Sequence, residues 1–241
     1  MVDVIKDMFN HARQLHGPDI FLARGHKLRL MLTGGGGDYS VALNKSNCQV
    51  YISIYREERG LATIEEVCIQ ESELKNLNFN VKSNNYMVRS YIATESKSQG
   101  GYLAIEADKA GYLLEGSVAT VAVLLANGDF IVPPFDRILP GTTAIKILDY
   151  LQHEVLPSQS PPLGGYLTRI VRREITVAEA HSDAVEVMFL GGEECVPVLE
   201  WDGLQVGTGV KGPAATLFQE YLKSFSKDDD KQEGQIKVIY K

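Results

Sequence analysis

Residues 81–86 read Val-Lys-Ser-Asn-Asn-Tyr, and the periodicity of the chain changes there. Before this stretch, Asn78 and Asn80 alternate with apolar residues in the period-2 pattern of a strand, and residues 86–94 after it are predicted to form a helix. A lysine at the exit of an apolar strand is expected near a partly dry interior, where its neutral, nucleophilic form is favoured. Most such lysines extend to solvent instead, so Lys82 alone supports either interpretation.

Further motifs follow Lys82 in a fixed order. They are Gly111-Tyr112-Leu113-Leu114-Glu115-Gly116, Phe130-Ile131-Val132-Pro133-Pro134, Ile138-Leu139-Pro140-Gly141-Thr142-Thr143, and a late run from Asp202-Gly203 to Gly212-Pro213. Together with Lys82 and Tyr86, the series resembles the fold-type IV enzymes of pyridoxal phosphate, the class IV aminotransferase family, over roughly residues 27–225. That family includes branched-chain and D-amino acid aminotransferases and aminodeoxychorismate lyase.

The resemblance implies an α/β fold in two domains, with a truncated small domain and a strand-rich larger one. We expect the small-domain remnant at 1–56, the larger cofactor-binding domain at 57–226 and a charged tail at 227–241. The cofactor, pyridoxal 5'-phosphate, is expected between the two domains. The usual N-terminal strands, with an arginine that reaches the phosphate, are expected to be missing.

By the same resemblance, Lys82 holds the cofactor as a Schiff base and moves a proton during the reaction. Tyr86 faces the phenolic oxygen of the cofactor, and Glu115 pairs with its ring nitrogen. Two alternatives stay open, because a glutamate in a hairpin can be merely solvated and a tyrosine on a helix merely buried.

The phosphate is expected at the start of a helix, where free backbone N–H groups favour anions. Thr142 and Thr143 match the family's phosphate-binding positions, although an ordinary threonine cap explains them equally well. Gly191 and Gly192 stand where the family has a hydroxyl-bearing cluster, so they can offer only backbone N–H groups. A second departure is Thr120, which replaces an asparagine.

Composition limits the function classes. The 241 residues carry a net charge of -7, which gives no general attraction to nucleic acid or to an anionic membrane. No apolar run approaches a membrane span, and no targeting segment is visible, so a cytoplasmic or organelle-matrix location is expected. The three cysteines form no CxxC pair, which indicates reduced thiols and no metal site.

Apolar spacing elsewhere predicts the remaining elements. The Asn127-Gly128 pair predicts a type I′ hairpin, and Asp202-Gly203 predicts a second turn. The four glycines 34–37 lack the Lys-Ser/Thr and helix of a P-loop, so we interpret them as a structural turn. Helices are predicted at 2–16, 144–155, from 177 and at 213–225; strands at 28–32, 49–55, 61–69, 102–106, 112–115, 121–125, 130–132, 166–171, 185–190 and 196–201; a linker at 56–60.

The resulting functional expectation is transamination between an amino acid and a 2-oxo acid, by a homodimer with no nucleic-acid or membrane partner. An aminodeoxychorismate lyase-like activity is the near alternative, because it uses the same lysine. A catalytically impaired homologue kept for binding or assembly is the alternative from another class.

Overall fold

The structure is a computed structural model. It describes Asp7, Met8, Asn10, His11, Gln14, Leu15, residues 26–33, 49–56, 65–70, Lys82 and 86–224. The chain divides between Leu61 and Ala62 into two compact units. Within the described ranges, no helix is long and apolar enough to cross a membrane.

The first unit contains a two-stranded antiparallel sheet. Strand β1, His26–Thr33, pairs with β2, Gln49–Arg56, along its full length. All the described residues between Asp7 and Leu15 are helical, as the apolar spacing predicts.

The second unit contains two five-stranded sheets. One has the order β10-β9-β6-β7-β8, and the other has the order β12-β11-β3-β4-β5. Their strands are β3 Glu65–Gln70, β4 Ala104–Ala107, β5 Leu113–Gly116, β6 Thr120–Leu125, β7 Asp129–Val132, β8 Arg169–Arg172, β9 Ala184–Gly191, β10 Glu194–Val198, β11 Glu200–Trp201 and β12 Leu204–Gln205.

Strand β6, in the first of these sheets, has an almost continuously apolar sequence. All six of its residues are buried, with Ala122 and Leu124 in one apolar cluster and Val121 and Val123 in another. Both clusters include residues of the two sheets, and each also includes helical residues, such as Phe218 in the first and Ala180 in the second. A strand covered on both faces loses the alternation of polar and apolar residues.

The described part of the second unit also contains four α-helices, and each lies near its predicted place. The predicted helix at 86–94 continues to Ser98, and the one predicted at 144–155 begins two residues earlier and ends in a π-helical turn, Leu151–Val155. The helices are α1 Met87–Ser98, α2 Thr142–Tyr150, α3 Val177–Asp183 and α4 Pro213–Ser224.

The type I′ turn predicted at Asn127-Gly128 is wrong. Of these two residues only Gly128 has a positive φ, +85°, and its N–H donates to the Leu125 carbonyl at 2.9 Å. That geometry matches a three-residue loop, in which a turn is followed by a glycine in the left-handed region. Two-residue turns with both φ values positive occur at Gly192-Glu193 and, as predicted, at Asp202-Gly203.

Several predictions lie outside the described residues. They are the strand that leads into Lys82, the glycine turn 34–37, the linker from residue 57 and the tail.

Candidate functional site

Lys82 and Tyr86 lie together ahead of α1. The Lys82 Nζ atom is 5.4 Å from the centroid of the Tyr86 ring, and Tyr86 is the half-buried N-cap residue of the helix. Lys82 itself is exposed, so the partly dry environment expected for it is wrong. The position explains this, because Lys82 precedes a cap residue that is only half-buried.

Glu115 is buried, which excludes the alternative of a solvated hairpin glutamate. It lies on β5 at 2% exposure, and its Oε1 accepts a hydrogen bond from Arg89 Nη2 at 2.5 Å. The guanidinium is on α1, one helical turn beyond Tyr86. The ion pair between Arg89 and Glu115 therefore links α1, the helix that follows Lys82 and Tyr86, to β5.

Arg89 is a residue of the site that the motifs do not reveal. Its Nη1 also approaches the carbonyl oxygens of Gly116 and Ser117, at 3.4 and 3.3 Å. Burial lowers the pKa of Arg89, but Glu115, with smaller contributions from Glu106 and Tyr86, more than offsets this and raises the pKa above its ordinary value.

The start of α2 is built without a threonine cap. Gly141 is the N-cap residue, its carbonyl accepts from the Ile145 N–H at 3.0 Å, and no side chain caps the helix. The Thr143 hydroxyl oxygen instead accepts a hydrogen bond from the Glu193 N–H at 3.0 Å. The ordinary-cap explanation of the two threonines is therefore wrong.

The β9–β10 turn closes against this helix end. Gly192 and Glu193 have φ values of +60° and +63°, and the Glu193 carboxylate pairs with Lys146 Nζ at 3.0 Å. A non-glycine residue in the left-handed region is uncommon and costs free energy. Here the contacts to Thr143 and Lys146 hold the turn in place.

Two glycines let the backbone approach closely at this point. A Cβ at Gly141 would lie 2.6 Å from Thr120 Oγ1, and a Cβ at Gly191 would lie 2.8 Å from Ala119 Cβ. Thr120 is buried and pairs with Leu190 in the sheet. The segment that follows Glu115 in the chain therefore packs closely against Gly141 at the helix start and against Gly191.

The donor set fits pyridoxal 5'-phosphate. A buried carboxylate suits the cationic ring nitrogen, and a helix start beside glycine-lined backbone suits a phosphate. Lys82 would supply the amine. The predicted residues Lys82, Tyr86, Glu115, Thr142, Thr143, Gly191 and Gly192 all lie along this series of contacts or beside it, and their roles remain predictions.

Solved structures with this fold are known. The branched-chain amino acid aminotransferase from Escherichia coli matches with a TM-score of 0.66 and 22% identity, covering 83% of this chain and 63% of that one. A fold IV-transaminase from Curtobacterium pusillum matches with a TM-score of 0.67 and 19% identity, covering 88% of this chain and 68% of that one. The fold-type IV architecture expected from the motifs is thereby confirmed.

The family model for amino-transferase class IV matches residues 4–201, so the chain belongs to that family. The chloroplastic D-amino-acid transaminase of Arabidopsis thaliana is 29% identical over 83% of this chain and 52% of its own length. A branched-chain-amino-acid aminotransferase of Pseudomonas aeruginosa is 26% identical over 76% and 59%. The chain thus spans little more than half the length of these relatives.

Proposed function

We propose that this chain acts as a pyridoxal-phosphate-dependent aminotransferase, which exchanges an amino group between an amino acid and a 2-oxo acid. The observation that carries the proposal is the buried Glu115 carboxylate, in the same unit as the start of α2, where Gly141 lies close to Thr120. Family membership and relatives named as aminotransferases support it. The lyase alternative is not favoured, because the reported relatives are named as aminotransferases.

Pyridoxal phosphate, when bound, supplies a ring that withdraws electrons from the substrate Cα. Glu115 would hold the ring nitrogen, and Tyr86 would orient the phenolic oxygen. The Lys82 Nζ would carry the cofactor, take the proton from Cα and return it on the product side.

The start of α2 would hold the phosphate. The backbone N–H groups of Thr142 and Thr143 favour an anion at a helix N-terminus. Gly191 and Gly192 would offer further backbone N–H groups. Because the Thr143 oxygen accepts from Glu193, its own hydroxyl hydrogen is directed away from that amide and is available to an anion.

A homodimer is part of the proposal. Met87 and Tyr91 lie one turn apart on α1 and are 70% and 66% exposed, an apolar surface suited to association. Light scattering on the purified protein would show twice the chain mass, and a monomer at micromolar concentration would contradict this part.

The central experiment locates the cofactor. The protein is incubated with pyridoxal phosphate, its visible absorption is recorded, and borohydride reduction followed by peptide mapping identifies the modified lysine. We expect the adduct on Lys82, its loss in Lys82→Ala and its retention in Lys97→Ala, a control on the exposed end of α1. Recovery of the adduct on Lys97 or Lys146 would overturn the proposal.

A further inference from the structure

The hydroxyl group of Thr120 is directed at the start of α2. Thr120 is 3% exposed, and its Oγ1 lies 2.6 Å from the place that a Cβ on Gly141 would occupy, whereas its own Cβ lies 3.8 Å from that place. The oxygen is therefore nearer than the rest of the side chain to Gly141, the N-cap residue of the helix. A larger residue than glycine at the N-cap would displace this hydroxyl.

The protein itself does not use the Thr120 hydroxyl as a hydrogen-bonding group. Within the described ranges, no residue donates a hydrogen bond to it or accepts one from it. The equally buried Ser96 hydroxyl, by contrast, donates to the Leu103 carbonyl at 2.6 Å. Because a buried hydroxyl without a partner costs free energy, the Thr120 hydroxyl is suited to a ligand that supplies the missing acceptor.

The start of α2 offers further donors at the same place. No side chain caps this helix, and the N–H groups of Thr142 and Thr143 in its first turn have no intrahelical partner. Donors that converge at a helix N-terminus favour an anion with several oxygen atoms. The Thr120 hydroxyl approaches this group of donors from the neighbouring sheet.

The turn between β9 and β10 reaches the same place without a hydroxyl. Thr120 pairs with Leu190 in the sheet, and a Cβ on the next residue, Gly191, would lie 2.8 Å from Ala119 Cβ. Gly191 and Gly192 have no side chains, so they can offer an anion only backbone N–H groups. Thr120 thus brings a hydroxyl to the point where this turn and the helix start meet.

We propose that Thr120 is a further cofactor-binding residue, whose hydroxyl donates a hydrogen bond to the phosphate of pyridoxal 5'-phosphate at the start of α2. It would supply the hydroxyl that Gly191 and Gly192 lack. This rests on the proposed function, because it deepens the assignment of the phosphate to that helix start. A hydrogen bond to a charged acceptor is stronger than one to a neutral acceptor, so the effect of Thr120 should depend on the phosphate and not on the ring.

The first test compares two substitutions of Thr120. Thr120→Val replaces the hydroxyl by a methyl group of similar size, and Thr120→Ser keeps the hydroxyl. Pyridoxamine 5'-phosphate, which binds without a bond to Lys82, is titrated into each cofactor-free protein by calorimetry. We expect its affinity to fall by roughly ten- to a hundredfold in Thr120→Val and by no more than about threefold in Thr120→Ser.

A control variant and the empty protein separate binding from folding. Thr94→Val removes a hydroxyl from the exposed side of α1 and should bind pyridoxamine 5'-phosphate like the parent. Without ligand, Thr120→Val should melt no lower than the parent, because it removes a buried hydroxyl that has no partner. A lower melting temperature combined with parent-like affinity would show that the hydroxyl serves the fold and would overturn the proposal.

The second test divides the ligand into its parts. Pyridoxamine has the ring and the amine but no phosphate, so the parent and Thr120→Val should bind it equally. Inorganic phosphate alone should raise the melting temperature of the cofactor-free parent with increasing concentration, and should raise that of Thr120→Val less. An equal loss of affinity for pyridoxamine and for pyridoxamine 5'-phosphate in Thr120→Val would show that Thr120 does not act on the phosphate.

The outcomes separate the two proposals. If the parent neither forms the Lys82 adduct nor binds pyridoxamine 5'-phosphate, the proposed function fails. If the parent does both and Thr120→Val binds pyridoxamine 5'-phosphate as tightly as the parent, only the role of Thr120 fails.

Discussion

At the scale of the residue, Glu115 combines burial with a close ion pair to Arg89. Its carboxylate is almost inaccessible and receives the guanidinium of Arg89 at 2.5 Å. A group held in this way cannot compensate for a chemical change by rotating toward water. If Glu115 pairs with the cofactor ring as proposed, its effect should therefore depend on a single atom of the carboxylate.

Glu115→Gln changes only that atom. We expect the variant to bind the cofactor but to abstract the substrate proton at least about a hundredfold more slowly, because a neutral amide cannot hold the ring nitrogen protonated. Single-turnover kinetics with an amino acid measures the step, and the exposed Glu154→Gln serves as control. Turnover at the parent rate would show that Glu115 does not pair with the ring nitrogen.

Gly141 offers a second test at this scale. Its φ of -66° suits alanine, so Gly141→Ala adds only a methyl group, placed 2.6 Å from Thr120 Oγ1. We expect a loss of roughly 1–3 kcal/mol of stability from overpacking. The double variant Thr120→Ala/Gly141→Ala removes the clashing oxygen and should recover most of it in denaturant titrations. Equal stability of the single variant and the parent would show that the helix start shifts freely.

At the scale of the element, the parallel pairing of β7 and β8 depends on an ion pair at its first position. Asp129 and Arg169 face each other in the register, with Nε–Oδ1 and Nη2–Oδ2 distances of 2.5 and 2.9 Å. Asp129 is 5% exposed, whereas the Arg169 side chain is largely exposed. The pair links the buried strand β7 to β8 at the edge of the sheet.

Acid should weaken this link. The hydrogen bond from Arg169, aided by its charge and by Asn127, lowers the pKa of Asp129 below its ordinary 3.8 despite burial. A carboxyl with a lowered folded-state pKa stabilises the protein at neutral pH and loses that contribution as pH falls below about 4. The melting temperature of Asp129→Asn should be lower than that of the parent at pH 7, and the difference should shrink toward pH 2. A constant difference across that range would contradict the linkage.

At the scale of the whole molecule, two apolar clusters cover the two faces of one sheet in the second unit. Cys195 lies in the cluster that includes residues of α2 and α4. It is 3% exposed and contacts Met188, with 3.7 Å between the sulfurs. Burial, followed by the charge of Glu186, raises the pKa of the Cys195 thiol. A protonated and inaccessible thiol does not react.

Cys195 should therefore report the opening of the whole second unit. In a denaturant series, labelling of the peptide that contains Cys195 should coincide with the loss of helical circular dichroism. Peptide mapping separates it from Cys48 and Cys68. Rapid labelling of Cys195 in buffer alone would show that the cluster opens locally.

The periodic segments of this fold were predictable, and the exceptions have physical reasons. Residues 121–125 and 213–225 carry patterns that only buried strands and amphipathic helices satisfy. The Asn127-Gly128 pair is compatible with two turn types, and the pairing of β6 with β7 decides between them. The motifs did not reveal Arg89, because its contact with Glu115 joins residues that are 26 positions apart in the sequence. Lys82 was placed correctly before the helix, but its exposure depends on the surrounding structure.

The parallel pairing of β3 with β11 affects how the protein acquires its structure during synthesis. Glu65 and Glu66 of β3 align with Glu200 and Trp201 of β11. Strand β3 therefore lacks this neighbour until nearly the whole of the second unit has left the ribosome. Contacts this distant in sequence slow folding, because a long loop must close first. The strand order therefore implies that β3 stays without its partner β11 for most of translation. During that time its unpaired edge can associate with other chains, so chaperone binding should matter most then.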